Sequence, residues 1–446
     1  MRMEIKVIGG GLAGVEAAYQ IARRGQPVAL YEMRPHMATP AHKTSFLSEL
    51  VCSNSLKSKD LYNAHGLLKE ELRTLDSIIM RAADSAQIPG GKALVVNREE
   101  FSAKITKEIE AHPLIRVIRE EVKEIPPGVV VIATGPLTSQ DLADRIKGIT
   151  GLENLFFFDA ISPIVDAESV DMEKAFFASR YADQTDDYLN CPLTEEEYNA
   201  FLDALISAER VAMRDFEEVR YFEGCLPVEI MAERGRKTLA YGPMKPVGLV
   251  RPLTGKRPYA VVQLRREDAA GTMYNLVGFQ TKLTYPEQER VFRMIPGLGH
   301  AMFLRLGSVH RNTYINAPSV LTPRLNMEAM ERLFFAGQIT GVEGYIESTA
   351  MGLLAGISSY MYLRGISFES PPGYCCTGAL LQYITTERRD FQPMNVNFGI
   401  LQDYNKKEKD RVVRRALEAV AAWGKINDGT DDADNERTGG THDFQN

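Results

Sequence analysis

Glu4-Ile5-Lys6-Val7-Ile8-Gly9-Gly10-Gly11-Leu12-Ala13-Gly14 is the stretch whose reading decides the fold. Five residues of strand character run into a glycine turn. Val15 to Arg24 then carries apolar residues at helical spacing and stops at Gly25. Val28-Ala29-Leu30-Tyr31 reads as a second strand, with Glu32 at its end. In a strand-turn-helix-strand unit of this kind each glycine has its own role. Gly9 permits the tight turn, Gly11 leaves room for a pyrophosphate against the backbone, and Gly14 lets the helix lie close to the strand. The N-terminus of this helix presents free N–H groups and a positive dipole end that suit phosphate oxygens. Glu32 stands where a carboxylate binds a ribose hydroxyl. A dinucleotide is the expected ligand.

Two further glycine signatures select FAD over a nicotinamide dinucleotide. Val129-Val130-Val131-Ile132-Ala133-Thr134-Gly135-Pro136 is an apolar strand ending in Ala-Thr-Gly, similar to the second signature of two-dinucleotide flavoproteins. Leu333-Phe334-Phe335-Ala336-Gly337-Gln338 leads through Gly341-Val342-Glu343-Gly344-Tyr345 into an Ala/Gly-rich helix, Ile346 to Ile357. A late unit of this form closes over a flavin ring, its helix N-terminus facing the electron-rich pyrimidine edge. Many flavoproteins place Asp after that glycine; here it is Gln338.

The rest of the chain limits the alternatives. Its 446 residues allow two or three domains, and 44% apolar with 25% charged residues is ordinary for a globular protein. Nowhere do about 18 apolar residues follow one another, so no membrane span is expected. Met1 runs almost directly into the glycine turn, so no signal peptide is expected, and a cytoplasmic location follows. Five scattered cysteines make neither a disulfide framework nor a metal ligand set. A net charge of −7 argues against indiscriminate nucleic-acid binding but leaves local patches open.

The fold class expected is α/β: a split, Rossmann-like FAD-binding domain with an inserted α+β domain. Residues 1–155 and 326–400 form the two parts of the nucleotide domain, and 156–325 the insertion. Residues 401–446 form a Lys-rich helix and an Asp/Gly/Asn/Thr tail too poor in apolar residues to fold. Leu67 to Ala83 carries one helical stripe, and Arg98 to Glu110 a second helix.

Three groups of residues carry chemistry. Cys52 lies in a Ser/Asn-rich loop at the end of a short helix, and Cys225 in a turn framed by Gly224 and Pro227. Polar settings of this kind suit a reactive thiolate, whereas a cysteine such as Cys191, Cys375 or Cys376 reads as a small buried hydrophobe. From Arg234 to Arg266 there are nine cations and no acid, a phosphate track with Tyr241 and Tyr259 available for stacking, or else a solvated sheet face. His310 beside Arg311 offers an imidazole for stacking or proton transfer, or a satisfied core histidine.

Over nearly the whole chain to about residue 400, the sequence resembles the folate- and FAD-dependent tRNA (uracil-5-)-methyltransferases. Tyr31-Glu32-Met33-Arg34-Pro35, Leu50-Val51-Cys52-Ser53-Asn54-Ser55, Ala133 to Ser139, Tyr188 to Pro192, Gly242 to Leu249 and Gly341 to Ser348 carry the resemblance. Gly90-Gly91-Lys92-Ala93-Leu94-Val95-Val96-Asn97-Arg98 departs from it, by an inserted Lys92 and by Asn97 in place of Asp. The resemblance implies FAD contacts from Gly9, Gly10, Gly11, Leu12, Ala13, Gly14, Glu32, Arg34, Gly135, Gly337, Glu343, Gly344 and Tyr345. It implies that Cys225 attacks uracil carbon-6, and that Cys52 is a general base or a second thiol guarding the site. Methylenetetrahydrofolate would supply the carbon, NADH or NADPH the reducing equivalents, and His310 a stacking face for the pterin. Arg251, Lys256 and Arg257 would hold tRNA, with no metal involved. A plain flavin oxidoreductase with redox cysteines, or a relative acting on ribosomal RNA, is the competing reading.

Overall fold

The computed structural model describes residues 3–39, 41–151, 155–180, 186–211, 226–252, 254–388 and 391–428. Cys225 and the tail beyond Asp428 lie outside the described residues. Six strands form the first sheet, in the order Asn326–Met327, Met330–Phe335, Val130–Ile132, Ile5–Ile8, Val28–Tyr31, Ile115–Ile118. All neighbours are parallel except the first pair. Crossovers place helices on both faces, and the central strands bury their apolar residues; Ile5, Val7, Val28, Leu30 and Val130 are fully buried. The chain reverses strand order between Ile5–Ile8 and Val130–Ile132, and a crevice opens beyond the carboxyl ends of these two strands.

The helix Leu12–Arg23 packs beneath this crevice against the long helix Tyr345–Arg364, which runs one to two turns past the expected Ile357. Gly352 and Gly356 explain the Ala/Gly-rich sequence of the long helix. A Cβ at either would stand 2.3 Å from the Ala13 carbonyl oxygen or 2.7 Å from that of Ala17, so the two backbones lie too close for side chains.

A second sheet, antiparallel throughout, has the order Phe176–Phe177, Tyr188–Leu193, Ala260–Arg266, Met273–Leu276, Ile164–Asp166, Phe303–Arg305. Glu195–Ser207, started by a Thr194/Glu197 capping box, covers it with Tyr198, Phe201, Leu202 and Leu205. Its apolar core is separate from that of the first sheet. The paired strands Leu155–Ala160 and Val309–Tyr314 stand where the chain passes between the two sheets. The Lys409–Ile426 helix returns to the first core through Val413, Ala416, Val420 and Trp423.

Two local expectations change. The stripe from Leu67 to Ala83 is two helices, Ala64–Thr74 and Ile78–Ser85. Asp76 adopts a left-handed φ of +55°, and the Ser77 side chain caps the second helix, so a stripe that looks continuous turns a corner. Cys52 follows turns and bends rather than a short helix.

Candidate active site

At the glycine turn, Gly9 has φ +107°, open to glycine, and its N–H donates to the Tyr31 carbonyl. A Cβ on Gly14 would stand 1.8 Å from the Gly9 carbonyl oxygen, whereas one on Gly11 meets nothing within 4 Å. One glycine is therefore demanded by helix packing, and the other leaves space at the helix N-terminus. Gly337, with φ +78°, lets the late strand approach Ala13.

Glu32 is buried and accepts the Gly10 N–H at 3.0 Å. Arg34 donates to it through Nε at 2.9 Å and through its own backbone N–H at 3.0 Å, and reaches Glu49 at 3.0 Å. Burial works against the Glu32 carboxylate, but the Arg34 guanidinium and the two backbone donors outweigh it and hold it below the usual carboxylate range. The crevice above is lined by Gly9 to Ala13, Glu32 to Arg34, Thr134 to Ser139, Gln338, Tyr345 and Ser348. It adjoins a second cavity, with which it shares Val51, Pro136, Leu137, Gln338 and Tyr345. The second cavity is lined by Cys52, Lys57, Asn312, Glu343, Gly344 and Glu347. A long cleft with a phosphate cradle at one end and a thiol at the other fits a two-part molecule such as FAD.

The Cys52 loop has little freedom. The Cys52 and Ser53 N–H groups both donate to the Tyr345 hydroxyl, at 2.8 and 3.1 Å. Arg305 donates to the Val51 and Cys52 carbonyls at 3.4 and 3.3 Å, and Arg98 to that of Leu50. Arg98 is itself paired with buried Glu267 at 2.9 Å. Arg265, the eighth cation of the basic run, is buried and binds Asn54 and Ser53 at 2.9 and 2.8 Å. The loop from the first sheet is thus clamped by the second. Burial pushes the Tyr345 phenol up and the Arg305 guanidinium down.

Cys191, Cys375 and Cys376 are buried, and burial pushes the Cys191 thiol up to about 12. His310 lies on the Val309–Tyr314 strand, its backbone opposite Asp159. Within the basic run the exposed cations include Lys256 and Arg257, whereas Arg251 is half-buried and donates to the Pro192 carbonyl at 3.1 Å. Arg236 pairs with Asp203 at 2.8 Å. Tyr241 is 79% exposed, while Tyr259 packs on Tyr198 with ring centroids 5.2 Å apart. Asn97 caps the Arg98–Ala111 helix by accepting the Glu100 N–H, a task Asp performs equally.

A cluster of buried charge beside the cleft escapes sequence reading. Fully buried Glu347 accepts from Lys57 at 3.3 Å and from the Val396 N–H at 3.2 Å, with His65 Nε2 at 3.5 Å. Burial, aided by Lys57, pushes the His65 imidazole down to about 4, and burial pushes Lys69 down to about 7. Glu347 fell inside a recognised segment, but Lys57, His65 and Lys69 come from a separate stretch with no motif around them. Among the described residues no group of three or more His, Cys, Asp or Glu is placed to hold a metal, and no helix is long and apolar enough to cross a membrane.

A family model described as "Glucose inhibited division protein A" matches residues 4–367. The methylenetetrahydrofolate–tRNA-(uracil-5-)-methyltransferase TrmFO of Geobacter sulfurreducens is 59% identical over 422 residues, covering 94% of this chain and 97% of that protein. The protein of the same name from Aquifex aeolicus is 56% identical over 434 residues, covering 96% and 98%. Among solved structures, Aquifex aeolicus GidA superposes with a TM-score of 0.72 at 17% identity, over 97% of this chain and 75% of that one, a likeness of fold.

Proposed function

The chain belongs to the methylenetetrahydrofolate–tRNA-(uracil-5-)-methyltransferase family, and from that premise we propose that it forms 5-methyluridine in tRNA with FAD as cofactor. The observation that carries the reading is the placing of the Cys52 thiol in a cavity that continues the dinucleotide cradle, with Tyr345 lining both. The residues fit the cofactor: Gly11 leaves the pyrophosphate space, Glu32 and Arg34 edge the ribose end, and Gly344 and Tyr345 start a helix at the ring end. Bound FAD would supply the relay of reducing equivalents from NAD(P)H and of the one-carbon unit from methylenetetrahydrofolate.

The chain's own part is to activate the base. Uracil carbon-5 is a poor nucleophile until a thiolate adds to carbon-6, and Cys225 is the residue assigned that addition. Cys52 takes the proton that carbon-5 loses once it carries the new carbon, after which the Cys225 sulfur leaves carbon-6 and the ring double bond returns. The Tyr345 and Arg305 bonds keep the Cys52 backbone still, so that the thiol meets the base in one orientation. His310 offers its ring to the pterin. Arg251, Lys256 and Arg257 face the RNA backbone, Arg251 through what its bond to Pro192 leaves over.

The test is a methyl-transfer assay with the purified protein, tRNA, NADPH and methylenetetrahydrofolate labelled at the one-carbon unit. Label should appear at carbon-5 of uridine, and boiling should release FAD from a yellow protein. Flavin reduction by NADPH without labelled RNA, tRNA and ribosomal RNA both being offered, would leave a plain oxidoreductase. Label in ribosomal RNA alone would move the substrate.

A further inference from the structure

The cavity that holds Cys52 has a polar lining, and most of its polar side chains are committed within the protein. Lys57 is paired with Glu347 at 3.3 Å, and the Gln338 carboxamide donates to the Glu343 carboxylate. The Asn395 carboxamide donates to the Glu343 carbonyl, and Ser53 Oγ accepts from Arg265 at 2.8 Å. The carboxamides of Asn312 and Gln280 line the same cavity and make no hydrogen bond to any described residue. Asn312 stands in the Val309–Tyr314 strand, whose backbone is paired with Leu155–Ala160, and is only 3% exposed. A side chain so enclosed, with two N–H donors and a carbonyl acceptor, takes its partner from what enters the cavity. Gln280 shows where the cavity leads. Its carbonyl accepts the Val228 N–H at 2.7 Å, and Val228 follows Cys225 by three residues, a span of at most about 11 Å. The Cys52 cavity therefore borders the stretch of chain that leads from Cys225.

We propose that the Asn312 carboxamide holds the O4 and N3 edge of the target uracil and stabilises the charge that O4 gathers, an inference that rests on the tRNA-methyltransferase reading. When the Cys225 thiolate adds, its electron pair forms the bond to carbon-6. The pair between carbon-5 and carbon-6 moves between carbon-4 and carbon-5, and the carbonyl pair moves onto O4. An N–H donor at that oxygen binds the enolate more strongly than the neutral carbonyl, which lowers the barrier to addition. The pair returns from O4 as carbon-5 bonds the one-carbon unit. The amide carbonyl accepts the N3–H, so the base is held by its edge in one orientation. Cys52, which on this reading takes the carbon-5 proton, shares the lining with Asn312, and O4 is two bonds from carbon-5. Enclosure on a paired strand holds the donor in place before the base arrives.

The experiment compares full-length, FAD-loaded wild type with Asn312→Ala and Asn312→Asp. The kcat for tRNA methylation should fall about 10²–10³-fold, as for one lost oxyanion donor, while the KM for methylenetetrahydrofolate and the flavin absorbance stay at wild-type values. Covalent trapping by RNA carrying 5-fluorouracil should slow alongside, because trapping begins with the same addition. Asn312→Asp keeps the shape of the side chain and loses the N–H₂ group, so it tests the donor should Asn312→Ala misfold. Trapping at the wild-type rate in a folded variant would overturn the proposal. A raised KM for methylenetetrahydrofolate at unchanged kcat would overturn it too, giving the amide to the pterin. Lost flavin, with full methylation once FAD is added back, would overturn it by giving the amide to the cofactor. A wild type that neither methylates tRNA nor traps 5-fluorouracil would instead sink the functional reading beneath it.

Discussion

The two ends of the cleft are built in opposite ways. The phosphate end is made by some thirty neighbouring residues, in which strand, turn, helix and acid follow one another from Ile5 to Glu32. The thiol end is assembled from segments far apart in sequence: Leu50 to Asn54, Arg98, Arg265 to Glu267, Arg305 and Tyr345. The first depends on backbone shape and is specified by glycines. The second depends on long, buried, charged side chains, each of which must find its partner before burial is tolerable. A change at the phosphate end should therefore act through space and sterics, and one at the thiol end through unpaired polar groups.

The sharpest contrast lies within the phosphate end. Gly14→Val drives a side chain into the Gly9 carbonyl, 1.8 Å from its Cβ, and should yield no folded protein. Gly11→Val enters open space and should yield a folded but colourless protein. Circular dichroism and flavin absorbance separate the two, and a yellow Gly11→Val protein would break the comparison.

At the thiol end, Cys225→Ala should abolish methylation. Cys52→Ala should lower it by roughly 10²–10⁴-fold, the range for a lost general base. RNA carrying 5-fluorouracil at the target should trap a covalent complex through Cys225, because fluorine does not leave carbon-5 as a proton does. Both variants should keep FAD. Peptide mapping that places the crosslink at Cys52 alone would reverse the roles, and full methylation by both variants would end thiol catalysis.

Tyr345→Phe removes the acceptor of two backbone N–H groups while keeping the ring. The cost should be about 1–3 kcal/mol for each N–H left buried and unpaired, less what water regains. Thermal melting should show a lower midpoint, and methylation should fall more than flavin content. Equal loss of both would mean that Tyr345 serves the cofactor rather than the Cys52 loop.

The effect that leaves the cleft's chemistry untouched comes from Lys69, buried next to the charge cluster with its ammonium donating to the Leu56 carbonyl at 2.7 Å. Its folded pKa of about 7 lies below the ordinary 10.5, so the unfolded chain binds more protons between those values. Stability should therefore rise with pH across that window, by at most about 1.4 kcal/mol per pH unit for one proton. Lys69→Met should flatten that rise in denaturant titrations from pH 7 to 10; an unaltered slope would place the titration elsewhere.

How much could be read in advance follows the same division. Gly9, Gly11, Gly14, Glu32, Gly135 and Gly337 were legible because a turn, a close approach or a strand end demands a residue type within a few positions. Cys52 stood out by its polar neighbours, and its place in the cleft followed from the fold. Arg265 looked like part of a phosphate track and is instead a buried strut on Asn54 and Ser53. A count of cations along the chain cannot distinguish the two, because inward and outward residues alternate on a strand.

What the amino-acid order alone determined is the βαβ unit, the late glycine unit and the family resemblance, all of which rest on local backbone geometry or on long matched segments. Only the tertiary structure decided that Arg98, Arg305, Glu267 and Tyr345 converge on one loop, and that Lys57, His65, Lys69 and Glu347 share one cluster. The reason is physical. Backbone shape is set by neighbours in the chain, whereas a buried charge is matched by whichever partner the folded topology brings to it, at any distance along the sequence.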